Sequence, residues 1–151
     1  MKKYILSFLL IAVLAVSAGA EVIKHMRQTV YVPAYSHIYV GPKTSPFELA
    51  VTLSIRNTNA TEPITVTVAD YYDSDGQLMK KYVDTPVKIK PFGTISYKVG
   101  EYDKTGGSGA NFVVKWYAEK PVHAPVVESV MIGTRSSQGI SFTSRGVVIE
   151  D

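Results

Sequence analysis

Phe47, Leu49, Val51, Leu53 and Ile55 alternate with Glu48, Ala50, Thr52, Ser54 and Arg56. A period of two sends alternate side chains to opposite faces of an extended chain, so this stretch reads as a half-buried β-strand. The same rhythm returns in Ile64, Val66 and Val68, in Val87 and Ile89, in Ile95, Tyr97 and Val99, and in Phe112, Val114 and Trp116. Turn signals separate these runs: Gly41 to Pro46, Asn57 to Pro63, Pro91-Phe92-Gly93 and Asp73-Ser74-Asp75-Gly76. The last is a hairpin signal, because Asp-Gly accommodates the positive φ that a tight hairpin turn requires. Thr29 to Val40 is rich in β-formers but broken at Pro33, which marks an edge strand or a switch between sheets. Pro121 and Pro125 bracket a short crossing, and Val126–Ile132, Ile140–Thr143 and Val147–Ile149 complete the set. Short strands at this spacing, with no convincing helix, argue a sandwich or barrel, and the fold expected is an all-β, single-domain antiparallel β-sandwich. Its predicted core is Leu49, Val51, Leu53, Ile55, Val66, Val68, Phe112, Val114 and Trp116.

The N-terminus reads differently. Lys2 and Lys3 give a positive start, Tyr4 to Val16 is apolar, and Ser17-Ala18-Gly19-Ala20 supplies small residues before Glu21. That order is the layout of a secretory signal peptide. The apolar run falls short of the roughly 20 residues of a membrane-spanning helix. Residues 1–20 are therefore expected to be removed, leaving 21–151 as the β-sandwich domain, exported to the periplasm or beyond, with no stable membrane span after cleavage. The absence of a cysteine at the cleavage site excludes a lipid-anchored lipoprotein.

The whole chain has no cysteine. This excludes disulfides, thiolate metal sites and cysteine nucleophiles, so the core must hold the domain together without staples. Loss of Lys2 and Lys3 leaves 14 of the 16 basic residues against 13 acidic ones. Near-neutrality gives no field to attract nucleic acid or an anionic membrane, and no nucleic-acid partner is expected.

The motifs point away from catalysis. Gly106-Gly107-Ser108-Gly109-Ala110 resembles a nucleophile elbow only superficially, since its last position is alanine and a strand follows where a helix is needed. With no lysine or helix after it, it is not a phosphate loop either. Asp70, Asp73 and Asp75 lack the closing glutamate of a calcium loop, and a solvated hairpin turn accounts for them. His25, His37 and His123 are scattered without ligand spacing. No catalytic residue, metal site or cofactor is expected. Nine tyrosines remain after signal removal, with Tyr31, Tyr35 and Tyr39 near one strand and Tyr71-Tyr72 near another. Exposed aromatics on a β scaffold stack on sugars or anchor partners, while tyrosine equally suits half-buried strands.

Several segments together resemble an uncharacterised family of short exported bacterial proteins known only as a domain of unknown function. They are Thr29 to Pro33 with Tyr35 to Tyr39, Leu53 to Thr58, Asp70 to Gly76, Gly106 to Phe112, Val130 to Gly133 and Gly139 to Gly146. The resemblance runs from about Arg27 to Val148 and implies a standalone exported domain without an assigned activity. Ala50 to Thr58 is also similar to a strand and turn of the immunoglobulin-like domain of pilus-assembly chaperones. Those proteins carry two such domains, and this chain has room for one.

The expectation for function is an exported, non-enzymatic binding or structural domain of the bacterial envelope, with an unidentified protein or glycan partner. Candidate binding residues are Tyr35, His37, Tyr39, Ser108, Asn111 and Arg145, the last as donor to a carboxylate. The alternative is an enzyme of unrecognised type acting on envelope glycan or polysaccharide, which requires paired carboxylates in a cleft. A deep pocket joining His37, an aspartate and Arg145 would favour chemistry, and flat faces would favour binding.

Overall fold

The computed structural model describes residues 23–151; the proposed signal segment and its cleavage point lie outside them. The described chain contains twelve strands and no helix. They are β1 (His25–Pro33), β2 (His37–Val40), β3 (Ser45–Glu48), β4 (Ala50–Arg56), β5 (Ile64–Tyr72), β6 (Leu78–Lys81), β7 (Val87–Ile89), β8 (Thr94–Val99), β9 (Asn111–Val122), β10 (Val126–Arg135), β11 (Gln138–Arg145) and β12 (Val147–Glu150). Among the described residues no helix is long and apolar enough to cross a membrane.

All pairings are antiparallel. One sheet runs β12-β1-β9-β5-β6, with β7 also paired to β5, and a second runs β11-β10-β4-β8. The β2–β3 hairpin forms a separate two-stranded sheet. The fold is an all-β sandwich. Val30, Val32, Val66, Phe112, Val114 and Trp116 supply the core from the larger sheet, and Val51, Leu53, Ile55, Val127 and Met131 from the smaller.

Each strand follows from its alternation, and the departures have identifiable causes. Leu49, Val51, Leu53 and Ile55 are fully buried, but Phe47 belongs to β3 and the long alternation divides before Ala50. The expected core residue Val68 is only half-buried. The register with β9 slips between Val66 and Val68. An extra residue there reverses the inward phase, so Ala69 and Tyr71 are buried in place of Val68. Pro33 ends β1, yet β1 is no edge strand, since it lies between β12 and β9. The chain instead leaves the larger sheet at Pro33 for the hairpin, the second of the two expected roles. Pro121 does not end β9. It falls within the irregular register between Tyr117 and Val122, where no ladder hydrogen bond needs its missing N–H. The Gly139–Gly146 segment, read as a polar stretch around a short strand, is nearly all strand β11, hydrogen-bonded along its whole length to β10.

Two glycines permit close approach between elements. A Cβ on Gly133 of β10 would lie 2.4 Å from the Glu48 carbonyl and 2.7 Å from the Phe47 ring. Its bare backbone lets β3 cross over β10. At Gly106 a Cβ would lie 1.9 Å from the Tyr71 hydroxyl, so the glycine loop packs directly on the core tyrosine.

Candidate functional site

The β2–β3 hairpin and the loops beside it gather most of the candidate residues at one end of the sandwich. His37 and Tyr39 lie two apart on β2 and so share a face. Their rings meet edge-on at 5.1 Å, and His37 Nε2 is 3.2 Å from the Tyr39 hydroxyl. Across the hairpin His37 faces Glu48 and Tyr39 faces Pro46. Tyr39 is 60% exposed. Tyr35 is half-buried and meets the edge of Phe142 on β11 at 5.7 Å.

The glycine loop is held beside this segment. Ser36, fully buried between Tyr35 and His37, donates its amide to the Gly107 carbonyl at 3.0 Å and its hydroxyl to the same oxygen at 3.0 Å. The Ala34 amide reaches the Ala110 carbonyl at 2.8 Å. From the other side the Ser74 hydroxyl donates to the Gly106 carbonyl at 3.0 Å and accepts from the Gly109 amide at 2.9 Å. Ser108 is half-buried in this loop, and Asn111 opens β9 between Pro33 and Tyr72. The Asp73 turn closes on itself: Asp73 Oδ1 accepts the amides of Asp75 and Gln77 at 2.9 and 2.8 Å. Among the described residues no group of three histidines and acids is placed to hold a metal ion.

Tyr71 anchors the cluster from below. It is 1% exposed, stacks obliquely on Phe112 at 4.9 Å and lies 3.4 Å from the Ser36 hydroxyl. Burial pushes its phenol above the ordinary tyrosine value. The Ser36 hydrogen bond pulls the other way, and the Asp103 and Asp73 carboxylates add to the rise.

Arg145 stands apart. It is exposed at the end of β11, directly across from Glu128 on the solvent face of the smaller sheet. Glu128 is ion-paired at 3.4 Å with Arg56. Among the described residues no hydrogen bond or ion pair joins Arg145 to the hairpin or the glycine loop.

Further residues stand where the hairpin meets its neighbours. A cavity of about 530 Å³, open to solvent, lies between β3, the end of β10 and the loop after β8. Pro46, Glu48, Glu101, Tyr102, Thr134 and Arg135 line it. Tyr102 is 90% exposed. Arg135 donates from Nη1 to the Pro46 carbonyl at 3.2 Å and so caps the free edge of β3. Glu48 Oε1 is paired with Lys104 Nζ at 3.0 Å, while Oε2 is shielded from water with no hydrogen-bond partner. A buried acceptor left without a donor costs about 1–3 kcal/mol, more when charged. The alternation placed Glu48 correctly on the polar phase beside Phe47. Nothing in the sequence tied it to Glu101, Tyr102 and Arg135, which come from two distant segments.

A search of curated proteins finds no match to this chain. Among solved structures it is similar to the crystal structure of Thermotoga maritima 1070, at 11% identity and a TM-score of 0.48, over 82% of this chain and 95% of that one. A family model described as a protein of unknown function, DUF3124, matches residues 27–149. That span takes in β1 to β12 almost entirely, including the hairpin, the glycine loop and the cavity between them, and on it the chain belongs to the DUF3124 family.

Proposed function

We propose that the chain is an exported, non-enzymatic binding domain of the bacterial envelope, in the periplasm or outside the cell. It meets its protein or glycan partner at the β2–β3 end. The observation that carries this reading is the pair of exposed tyrosines beside one open cavity. Tyr102 lines it, and Tyr39 lies across the hairpin from Pro46, which lines it too. Exposed aromatic side chains supply large contact area at little entropic cost, which is the usual make-up of a binding hot spot. The residues that catalysis would have drawn together, His37 and Arg145, belong to different sheets. The address rests on the charged, apolar and small-residue layout of residues 1–20, and the intact mass of the exported protein, beginning at Glu21, checks it.

Capture of partners from envelope extract by the domain from Glu21 onward tests the site. Replacing Tyr39 and Tyr102 together by alanine is expected to abolish capture at unchanged melting temperature. Capture that survives this change but fails in Arg145→Ala would move the surface to the outer face of the smaller sheet. A second reading has one observation in its favour. Glu48 and Glu101 line the same cavity, and glycoside hydrolysis needs two carboxylates across a bond. Release of reducing ends from envelope polysaccharide, abolished in Glu101→Gln, would establish that reading over the first.

A further inference from the structure

The edges of the two sheets are not alike. In the larger sheet β12 has four residues, slips register against β1 and carries Glu150. At its other side β6 and β7 have four and three residues and carry Lys80, Lys81 and Lys88. On β8, one edge of the smaller sheet, the Lys98 carbonyl is taken by the Tyr82 hydroxyl at 2.8 Å. Short length, lysines, irregular register and cover are the devices by which sheets avoid pairing with another chain. β11, the opposite edge, has none of them. It is eight residues long and carries no charge from Gln138 to Ser144.

The turn before β11 settles which of its backbone groups face outward. Ser136 and Ser137 have φ of +50° and +63°, which makes a type I′ hairpin turn between Arg135 and Gln138. Such a two-residue turn closes on a pair that exchanges both hydrogen bonds, and bonding then alternates along the ladder. Gln138, Ile140, Phe142 and Ser144 therefore bond to β10. In keeping with that phase, the Ser129 hydroxyl of β10 reaches the Ser144 carbonyl at 3.5 Å. The amides and carbonyls of Gly139, Ser141 and Thr143 point away from β10. These three residues are exposed, and β11 pairs with no other strand among the described residues.

We infer that this edge pairs antiparallel with β11 of a second copy of the chain, Ser141 facing Ser141 across a two-fold axis. An axis normal to the sheet keeps like faces together, so one residue must sit on it. With Ser141 there, it meets its own counterpart and Gly139 meets Thr143, each pair exchanging two hydrogen bonds through the outward groups. Ile140 then stands opposite Phe142 at both of the closely spaced positions between them. Each is only half-buried in the single chain, and an aromatic facing a β-branched residue is a favourable cross-strand pair. Placing Phe142 on the axis would instead set Ile140 against Ser144 and leave it without an apolar partner. Arg145 lies past the paired stretch, opposite the turn of the other copy, so no charge faces its like. On the outer face Ile132, 52% exposed, lies beside Ser141 and comes next to the second copy. Gln138 begins β11 at the β2–β3 end, where it lines a hollow with Val40 and Phe47. An antiparallel pair therefore sets the two β2–β3 ends at opposite ends of one continuous sheet, and the dimer presents two binding ends facing apart. The edge pairs whether or not those ends capture a partner, so the inference does not rest on the binding reading.

Sedimentation equilibrium of the domain from Glu21 onward tests it. A mass twice that of the chain is expected at high concentration, falling to the mass of one chain on dilution. Ser141→Lys, a change at an exposed position, sets two lysines face to face and should give a monomer with unchanged far-UV dichroism. Ser141→Asp should do the same. Mixing the two variants should restore the dimer, because lysine then faces aspartate. Ser96→Lys, exposed on the β8 edge, should leave the dimer intact. A domain that is monomeric at every concentration overturns the inference, and so does a dimer that survives Ser141→Lys. Two monomeric variants that do not recombine on mixing overturn it too, because Ser141 then does not sit on the axis.

Discussion

Trp116 is the chain's one indole and is 2% exposed, at the centre of β9. Its neighbours across the ladder are Gln28 and Val66, so it is packed from both adjacent strands. Truncation to alanine removes its contacts and leaves a cavity that a sandwich core closes poorly. Trp116→Ala is expected to cost about 3–5 kcal/mol, read from denaturant unfolding, and a loss below about 1 kcal/mol would mean the ring is not core. Tyr71 allows a sharper test because its burial is coupled to protonation. Its phenol, like those of Tyr82 and Tyr97, is raised above the ordinary value of 10.0, chiefly by burial. The unfolded chain then loses these protons first. The stabilisation is complete below pH 10 and is lost as the pH climbs through the raised folded values. Unfolding curves taken from pH 9 to 12 should show falling stability, and Tyr71→Phe should make the fall shallower. An unchanged slope in that variant would mean the phenol does not ionise with unfolding. At this scale the sequence was legible where side-chain type decides burial, as at Trp116. It was silent on Glu48, whose Oε1 meets Lys104 from a distant segment while its Oε2 is left buried without a partner.

Elements were legible wherever alternation was unbroken, and misread wherever one residue was added or a proline was tolerated. β4, β8 and the first half of β9 lie where the period-two pattern puts them. β5 does not keep its phase, because a bulge after Val66 turns Val68 outward and Tyr71 inward. Bulges leave no compositional mark, so the apolar valine was the natural wrong choice. The glycine loop is the other instructive case. Its composition suits either a mobile segment or one held in special backbone conformations. The second holds: Ser36 and Ser74 grip it from either side, and Gly107 takes φ +74°. The close approach of Gly106 to Tyr71 makes a coupled prediction. Gly106→Ala should destabilise by about 1–3 kcal/mol through overpacking. In a Tyr71→Phe background the same change should cost measurably less, because the hydroxyl 1.9 Å from the added Cβ is gone. Equal costs in both backgrounds would show that the loop moves aside rather than pressing on Tyr71.

The whole molecule is woven so that neither sheet can form from a continuous stretch of chain. The smaller sheet takes β4, β8, β10 and β11, and the intervening β5, β6, β7 and β9 belong to the larger. Five of the connections from β4 onward cross between the layers, and the last passes through Gly146 from β11 to β12. Each layer buries its apolar face only against the other, so a single layer would expose Leu53 and Ile55 or Phe112 and Trp116 to water. Alternation predicted the two-faced strands, but it holds no information on which strands share a sheet, and that pairing is what fixes the weave. With no cysteine to hold a partly unfolded form, the fold should be lost in one step. Trp116 fluorescence reports the core, and far-UV circular dichroism reports both sheets. Their urea transitions are expected to superimpose, to be indifferent to reductant, and to fit a two-state model. Refolding should take milliseconds to seconds, as pairings between distant segments require. A fluorescence transition preceding the dichroism change would show that the layers separate before they unravel, and the woven topology would then not enforce cooperativity.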